Sequence, residues 1–294
     1  MRRIAFLGPE GTITHEAAHY FFAGEPHAFI PYRLIADAVA STVAGETDLS
    51  LVPVENTIEG SVKDTVDLLV HEVDLPIQAE WIYPSVQNLI GLRSEYETVT
   101  GQLDLNRVKK VFSKDVAIGQ CMDFIKKNLP NADLEFSSST AEGVRYVKEH
   151  PNQGFVAIGS KLSSELFQSD ILAANITDHM NNFTRFQLIG HSPPALKPTD
   201  VMKTTILITL PEDYPGALHQ VLSAFAWRKI NLSKIESRPT KLKLGSYYFY
   251  IDIEGSMDSV LLPSAIAEIE AIGCLVRLLG SYPSYSYFKP TTEV

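Results

Sequence analysis

Four short stretches hold the side chains best suited to chemistry. Residues 15–19 read HEAAH, two histidines one helical turn apart with a glutamate between them, the spacing with which zinc peptidases hold a metal and activate its water. No third ligand motif follows, and the expectation is a solvated helix face without metal. GPEGT at 8–12 is a glycine-rich turn between strand and helix. Its N–H groups suit a carboxylate or phosphate, and its glycines equally suit a tight turn. PVENTIEGS at 53–61 sets Glu55, Asn56 and Thr57 where a buried strand ends. Polar side chains there need partners, although a capped helix start uses the same residue types. NFTRF at 182–186 sets a hydroxyl and a guanidinium between aromatic rings. A surface arginine usually carries only a solvated charge, but this one closes a long extended crossover.

The elements that must position these groups follow α/β grammar. Four β-prone runs, 4–7, 49–54, 108–112 and 155–158, each lead through a polar turn into a segment with helical period. Ser61 with Asp64, and Ser139 with Glu142, have capping-box spacing. Stretches 76–91 and 171–190 are extended and read as crossovers between two lobes, so that the polar turns of both would face one cleft. The boundaries expected are lobe one at about 1–78 plus 170–190 and lobe two at about 79–169, together one region of 1–190. A proline-rich linker follows at 191–202, then a region at 203–283 whose order, β-α-β-β-α-β, is ferredoxin-like, and a tail at 284–294.

A formal charge of −10 argues against nucleic acid or an anionic membrane as partner, because phosphate contacts need clustered cations. The apolar run after the two N-terminal arginines is too short for a secretory signal, and nothing approaches the roughly 18–20 apolar residues that span a bilayer. A cytoplasmic location is expected. Cys121 and Cys274 sit in apolar contexts, which fits buried thiols in a reducing compartment rather than a disulfide.

GPEGT, PVENTIEG, Gln120 with Cys121, and NFTRF stand in the order and spacing of the prephenate dehydratase family, which the chain resembles. PGALHQVL at 215–222 and ESRP at 236–239 resemble that family's appended ACT domain. The resemblance spans almost the whole chain. It implies an α/β fold: a two-lobed catalytic domain like a type II periplasmic binding protein, then a ferredoxin-like βαββαβ ACT domain that pairs chains into a homodimer or homotetramer. It implies a lyase that converts prephenate to phenylpyruvate in phenylalanine biosynthesis, needs no cofactor or metal, and responds to L-phenylalanine held by Pro215, Gly216, Ala217, Leu218, Glu236, Ser237 and Arg238. Within that reading Thr184 acts on the departing hydroxyl, relaying a proton from Glu55 or water. Arg185 holds the pyruvyl carboxylate, and Gly11, Thr12, Asn56, Thr57, Gly60, Ser113 and Phe186 complete the substrate site. The chain departs from the family pattern at Ile13-Thr14, at Thr57 and at Ser113-Lys114-Asp115. Arogenate dehydratase and a non-catalytic small-molecule sensor are the competing readings on the same fold.

Overall fold

Short runs of period two alternate with stretches of period 3.6, and the chain folds accordingly. The structure, a computed structural model, describes residues 1–24, 26–212, 214–243 and 245–287. Strand β1 (Arg2–Leu7) leads to helix α1 (Ile13–Phe21), β2 (His27–Tyr32), α2 (Ile35–Val43), β3 (Leu49–Asn56), β4 (Gly60–Ser61) and α3 (Lys63–His71). Next come β5 (Ile77–Pro84), β6 (Asn88–Gly91), α4 (Arg93–Tyr96), β7 (Lys110–Ser113), α5 (Asp115–Gly119), α6 (Met122–Asn128) and β8 (Asp133–Phe136). Then α7 (Thr140–Glu149), β9 (Phe155–Gly159), α8 (Lys161–Leu166), β10 (Asp170–Ala173) and β11 (Phe183–Ile189) follow. The last part holds β12 (Met202–Thr209), α9 (Ala217–Ala226), β13 (Leu232–Pro239), β14 (Tyr247–Glu254), α10 (Leu261–Ala271) and β15 (Leu275–Tyr285).

These elements form two units. The first comprises residues 1–38, 55–60 and 83–184, and the second 39–54, 61–82 and those from 185 on. In the first unit β10, β6, β9, β7 and β8 lie in that order in one sheet. Strand β7 runs parallel to β8 and β9, and β6 antiparallel to β9 and β10. Strand β9 is apolar on both sides, as a covered parallel strand must be: Val156 and Ile158 pack with Ile118 and Ile125, while Ala157 packs with Val144 and Val147 of α7. Helices start on hydroxyl caps, Thr12 for α1, Ser139 for α7 and Ser160 for α8. At Ser139 one half of the box forms, its hydroxyl accepting from the Glu142 N–H at 3.1 Å, while the Glu142 carboxylate accepts from the N–H of Ser138, one residue before the cap, at 3.0 Å.

In the second unit the ACT-like strands are all antiparallel, in the order β13-β14-β12-β15. One face carries Ile206, Ile208, Ile251 and Ile253 against Val221 and Phe225 of α9 and Leu262 and Ile269 of α10. Burying each such side chain stabilises by about 1.5–3 kcal/mol. The alternate residues of the same strands, Thr205, Tyr250 and Asp252, are also at 0% exposure, so the face that a two-layer fold leaves to water is covered here. Its cover comes from β5 and β11, because the end of β15 turns parallel to β5, with Ser284 opposite Glu80, and the sheet continues through β11 to β3.

Several elements escape the sequence reading, among them β2, α2 and β8. Strand β2 contains Pro31, which argues against a strand, yet it lies at the sheet edge where a missing N–H costs nothing. Helix α2 and strand β8 are too short and too polar or small-residue-rich to show a period. One capping expectation fails: α3 begins after Val62 with no side-chain cap, and Ser61 donates instead to Glu236 at 2.6 Å. Residues 288–294 of the expected tail lie outside the described residues.

Gly280 marks where β15 crosses closest to β5: a Cβ there would stand 2.5 Å from the Ile77 carbonyl oxygen. Backbone cannot yield as a side-chain tip does. Gly280→Ala should lower unfolding stability by about 1–3 kcal/mol in chemical denaturation, whereas Gly45→Ala, where an added Cβ meets nothing within 4 Å, should cost less, its loss set by positive φ alone.

Candidate active site

The first unit gathers a cluster of uncharged polar side chains around one threonine hydroxyl. Strand β11 carries Thr184, and the end of β3 carries Asn56. The Asn56 amide nitrogen donates to Thr184 Oγ1 at 3.0 Å, to Asn182 Oδ1 at 2.8 Å and to the Phe183 carbonyl at 3.1 Å. Its oxygen accepts from the N–H groups of Ile58 and Glu59 at 2.9 and 3.0 Å. An amide has two hydrogens and two lone pairs, so Asn56 is fully occupied in holding Thr184 and its own turn. Ser85 Oγ stands 2.7 Å from Thr184 Oγ1, and Asn182 donates to Gln120 Oε1 at 2.9 Å. Ser85, Gln120, Asn182 and Thr184 are all buried. Asn56 donates to Thr184 Oγ1, and in the contact between Ser85 and Thr184 either hydroxyl can be the donor.

The glycine turn is organised from its own unit. Gly11, at a φ of 85°, donates its N–H to His15 Nδ1 at 3.1 Å and receives the Ser160 hydroxyl on its carbonyl at 2.7 Å. Thr12 Oγ1 caps α1 and donates to the Leu7 carbonyl. This N–H is therefore used inside the fold. His15, expected on a solvated face, is 5% exposed and stacks on Phe6 with ring centroids 4.6 Å apart. Its Nε2 meets His19 Nε2 at 3.1 Å. Glu16 accepts from Tyr83 OH at 2.9 Å and from the Leu162 N–H at 3.0 Å, so the carboxylate of the HEAAH stretch ties α1 to α8. Among the described residues no group of three or more His, Cys, Asp or Glu side chains is placed to hold a metal ion.

Other expected site residues are brought near Thr184 or taken elsewhere. Thr57 lies beside the cluster, its hydroxyl donating to the Asn181 carbonyl at 2.6 Å and its N–H to Phe183 O at 2.9 Å. Gly60, at a φ of 80°, turns the chain into β4. Glu55 is half-buried one residue before Asn56, and alternation along β3 turns the two side chains apart. Ser113 is wholly buried and donates to the Ile158 carbonyl at 2.7 Å, which makes it a tie between β7 and β9 rather than a ligand for substrate. Ser85 and Asn182 were not expected. Ser85 sits in a stretch legible only as a crossover, and Asn182 begins the NFTRF motif without a charge or hydroxyl to single it out.

Arg185 departs furthest from its expected place at a substrate carboxylate. It is the next residue along β11 and belongs to the second unit, where its guanidinium meets Asp252 at 2.6 Å and Glu80 at 2.9 Å. Lys203 reaches Glu80 at 2.7 Å, and Ser284 donates to it at 2.7 Å. Burial by itself raises the Glu80 carboxyl, but Arg185 and Lys203 outweigh it and hold the group below its ordinary value. Phe186 packs in the core against Trp81, with centroids 6.3 Å apart.

The residues expected to hold the effector divide similarly. Helix α9 opens on Gly216, at a φ of 96° and with no side-chain cap, just after the exposed Pro215, with Ala217 buried and Leu218 half-buried. Glu236 accepts from Ser61, and Arg238 donates to Asp67 at 2.7 Å, while Ser237 between them is exposed. Both cysteines are buried and unbridged. Burial, then Asp178, pushes the Cys121 thiol up to about 12. No helix among the described residues is long and apolar enough to cross a membrane.

An α/β region with an uncharged threonine-centred cluster is followed by a four-stranded antiparallel sheet with two helices, a two-part architecture of α/β fold and ferredoxin-like domain. The family model for prephenate dehydratase matches residues 4–194 and the ACT domain model residues 204–271. The chain belongs to the prephenate dehydratase family and carries a C-terminal ACT domain. It is 40% identical to the prephenate dehydratase of Bacillus subtilis over 96% of this chain and 99% of that one. It is similar to the crystal structure of the Arthrobacter aurescens prephenate dehydratase in complex with L-Phe, with 34% identity, a TM-score of 0.83 and coverage of 96% and 89% of the two chains. It is also similar to GqqA, described as a novel type of quorum quenching acylase, with 26% identity, a TM-score of 0.82 and coverage of 99% and 100%.

The buried histidine sets a pH dependence. Burial, and then His19, lowers His15 from its ordinary 6.5 to about 4. Above about 6.5 both folded and unfolded chains hold the ring neutral. Between about 6.5 and 4 only the unfolded chain takes up the proton, so folding weakens as pH falls through that window. The loss should reach about 2 kcal/mol after allowance for solvent screening, and thermal unfolding of His15→Gln should show a shallower slope there than the parent protein.

Proposed function

We propose that the chain catalyses the decarboxylating dehydration of prephenate to phenylpyruvate in the cytoplasm, without a metal or other cofactor, and that its ACT domain binds L-phenylalanine between paired chains. The observation that carries the reading is the Thr184 hydroxyl, held by Asn56 and Ser85 among neutral groups; with Ser85 as the donor of their shared bond, the Thr184 proton turns to the substrate. The reaction needs that arrangement. The electron pair of the ring C–carboxylate bond moves into the ring as CO2 departs, the ring C–O bond breaks, and hydroxide must take up one proton to leave as water. A threonine hydroxyl is a weak acid, so its part is a hydrogen bond that strengthens as charge develops on the departing oxygen. A water molecule supplies the proton, with Glu55, whose side chain alternates away from Asn56, able to act only through such a water. Neutral surroundings suit a carboxylate that has to leave, because a cation on it would stabilise the ground state and leave kcat no higher.

For the effector, the uncapped start of α9 at Pro215, Gly216, Ala217 and Leu218 offers N–H groups and a positive dipole end to the amino acid's carboxylate. Glu236, Ser237 and Arg238 lie on β13, where a carboxylate suits the amino group. Inhibition requires that phenylalanine bind two conformations with different affinity, and the engagement of Glu236 by Ser61 gives the strand one defined partner to exchange.

The test is turnover of prephenate and of arogenate, each supplied separately to chelator-treated protein and followed by product absorbance. Phenylpyruvate should form, and Thr184→Ala should lower kcat by about 10²–10³-fold; near-normal kcat in that variant removes Thr184 from the chemistry. Equilibrium dialysis should show saturable phenylalanine binding, and its absence refutes the sensor.

A further inference from the structure

We propose that Arg185 is a positioning residue for turnover, held by Glu80 and by Asp252 of the ACT sheet, so that a carboxylate of the regulatory region sets the register of the strand that carries Thr184. The guanidinium side chain is 8% exposed and both carboxylates are at 0%. Thr205 Oγ1 donates to Asp252 Oδ1 at 2.7 Å, and the Tyr282 hydroxyl stands 2.7 Å from Thr205 Oγ1 and 3.4 Å from Glu80. Each acid is thus fixed in direction as well as charge.

Strand geometry separates this arginine from the reacting hydroxyl. Successive side chains of a strand point to opposite faces, and alternate ones share a face. Gln187, two residues on from Arg185, donates to Tyr282 OH at 3.1 Å, which confirms the face that both share. Thr184 points the other way, to Asn56 and Ser85. A substrate placed on the threonine hydroxyl therefore does not meet the guanidinium.

What the charges add is register. Apolar residues of similar size in this place would give equal or greater stability, but they would not distinguish one alignment of β11 from the next. A slip of one residue would turn every side chain of the strand to its opposite face, exchanging Thr184 for Arg185 or Phe183. A buried cation whose Nη1 stands between two fixed acids, 2.9 Å from Glu80 and 2.6 Å from Asp252, penalises any alignment that withdraws it. Since Thr184 and Arg185 share one peptide bond, the alignment of one is the alignment of the other.

The inference rests on Thr184 being the group at the departing hydroxyl, which Thr184→Ala tests by itself. In the full-length protein Asp252→Asn should lower kcat for prephenate at least about tenfold, as small misplacements of a reacting group do, with KM within about threefold. Arg185→Lys, whose nitrogen sits on a shorter stem and stops short of the Nη1 position between the two acids, should show the same split, and the double variant should be no worse than the worse single one, since the two act as a unit. A normal kcat in Asp252→Asn, or an Arg185→Lys effect confined to KM as a carboxylate clamp would give, overturns the proposal. Should Asp252→Asn fail to fold, Thr205→Val removes only the hydroxyl that orients Asp252; it should lower kcat with KM unchanged, and a normal kcat there is equally fatal. Loss of turnover in Thr184→Ala beside full turnover in Asp252→Asn would leave the reaction in place and remove the positioning role alone.

Discussion

A carboxylate with no water around it must find cations or remain protonated. Glu80 is such a group, and Arg185 and Lys203 keep it ionised against its own burial. Around this pair the second unit converges from five strands: Glu80 on β5, Arg185 on β11, Lys203 and Thr205 on β12, Asp252 on β14, Tyr282 and Ser284 on β15. Removing one partner would leave a bare buried charge, which is costly in a way that losing an exposed ion pair is not. The ACT sheet and the strands from the preceding region are thereby bound as one sheet, with Ser284 of β15 paired directly opposite Glu80.

The Thr184 cluster follows the opposite electrostatic rule. Its members are neutral, and each has its hydrogen-bonding capacity assigned by a neighbour, down to the two lone pairs of Asn56. Pre-arranged neutral dipoles need no reorganisation as charge develops, which is what the role proposed for Thr184 asks of its neighbours. Ionic constraint on one side of β11 and neutral preorganisation on the other are consequences of one strand's alternation.

Much of this was legible in the residues. The four strand-turn-helix repeats and all six ACT elements stand where their periods place them, because a period of two or 3.6 reports a local preference that packing then reinforces. Strand β2 was hidden by Pro31, whose cost depends on edge position rather than on sequence. Ser61 and Asp64 had cap spacing, but Glu236, distant in the chain, took the Ser61 hydroxyl. Ser113 looked available at a strand end and is instead a buried tie to Ile158.

Sequence by itself determined the family, the order of elements and the cast of polar residues, since motif order and hydrophobic period are properties of the chain read along its length. Only the tertiary structure decided what those residues touch. Asn56 and Thr184 are 128 positions apart and meet because β3 and β11 end together. Arg185 stands next to Thr184 in the chain and yet serves a different set of partners, because a pleated strand sends neighbouring side chains to opposite faces, and which face lies against which sheet is fixed by packing and not by the neighbours in sequence.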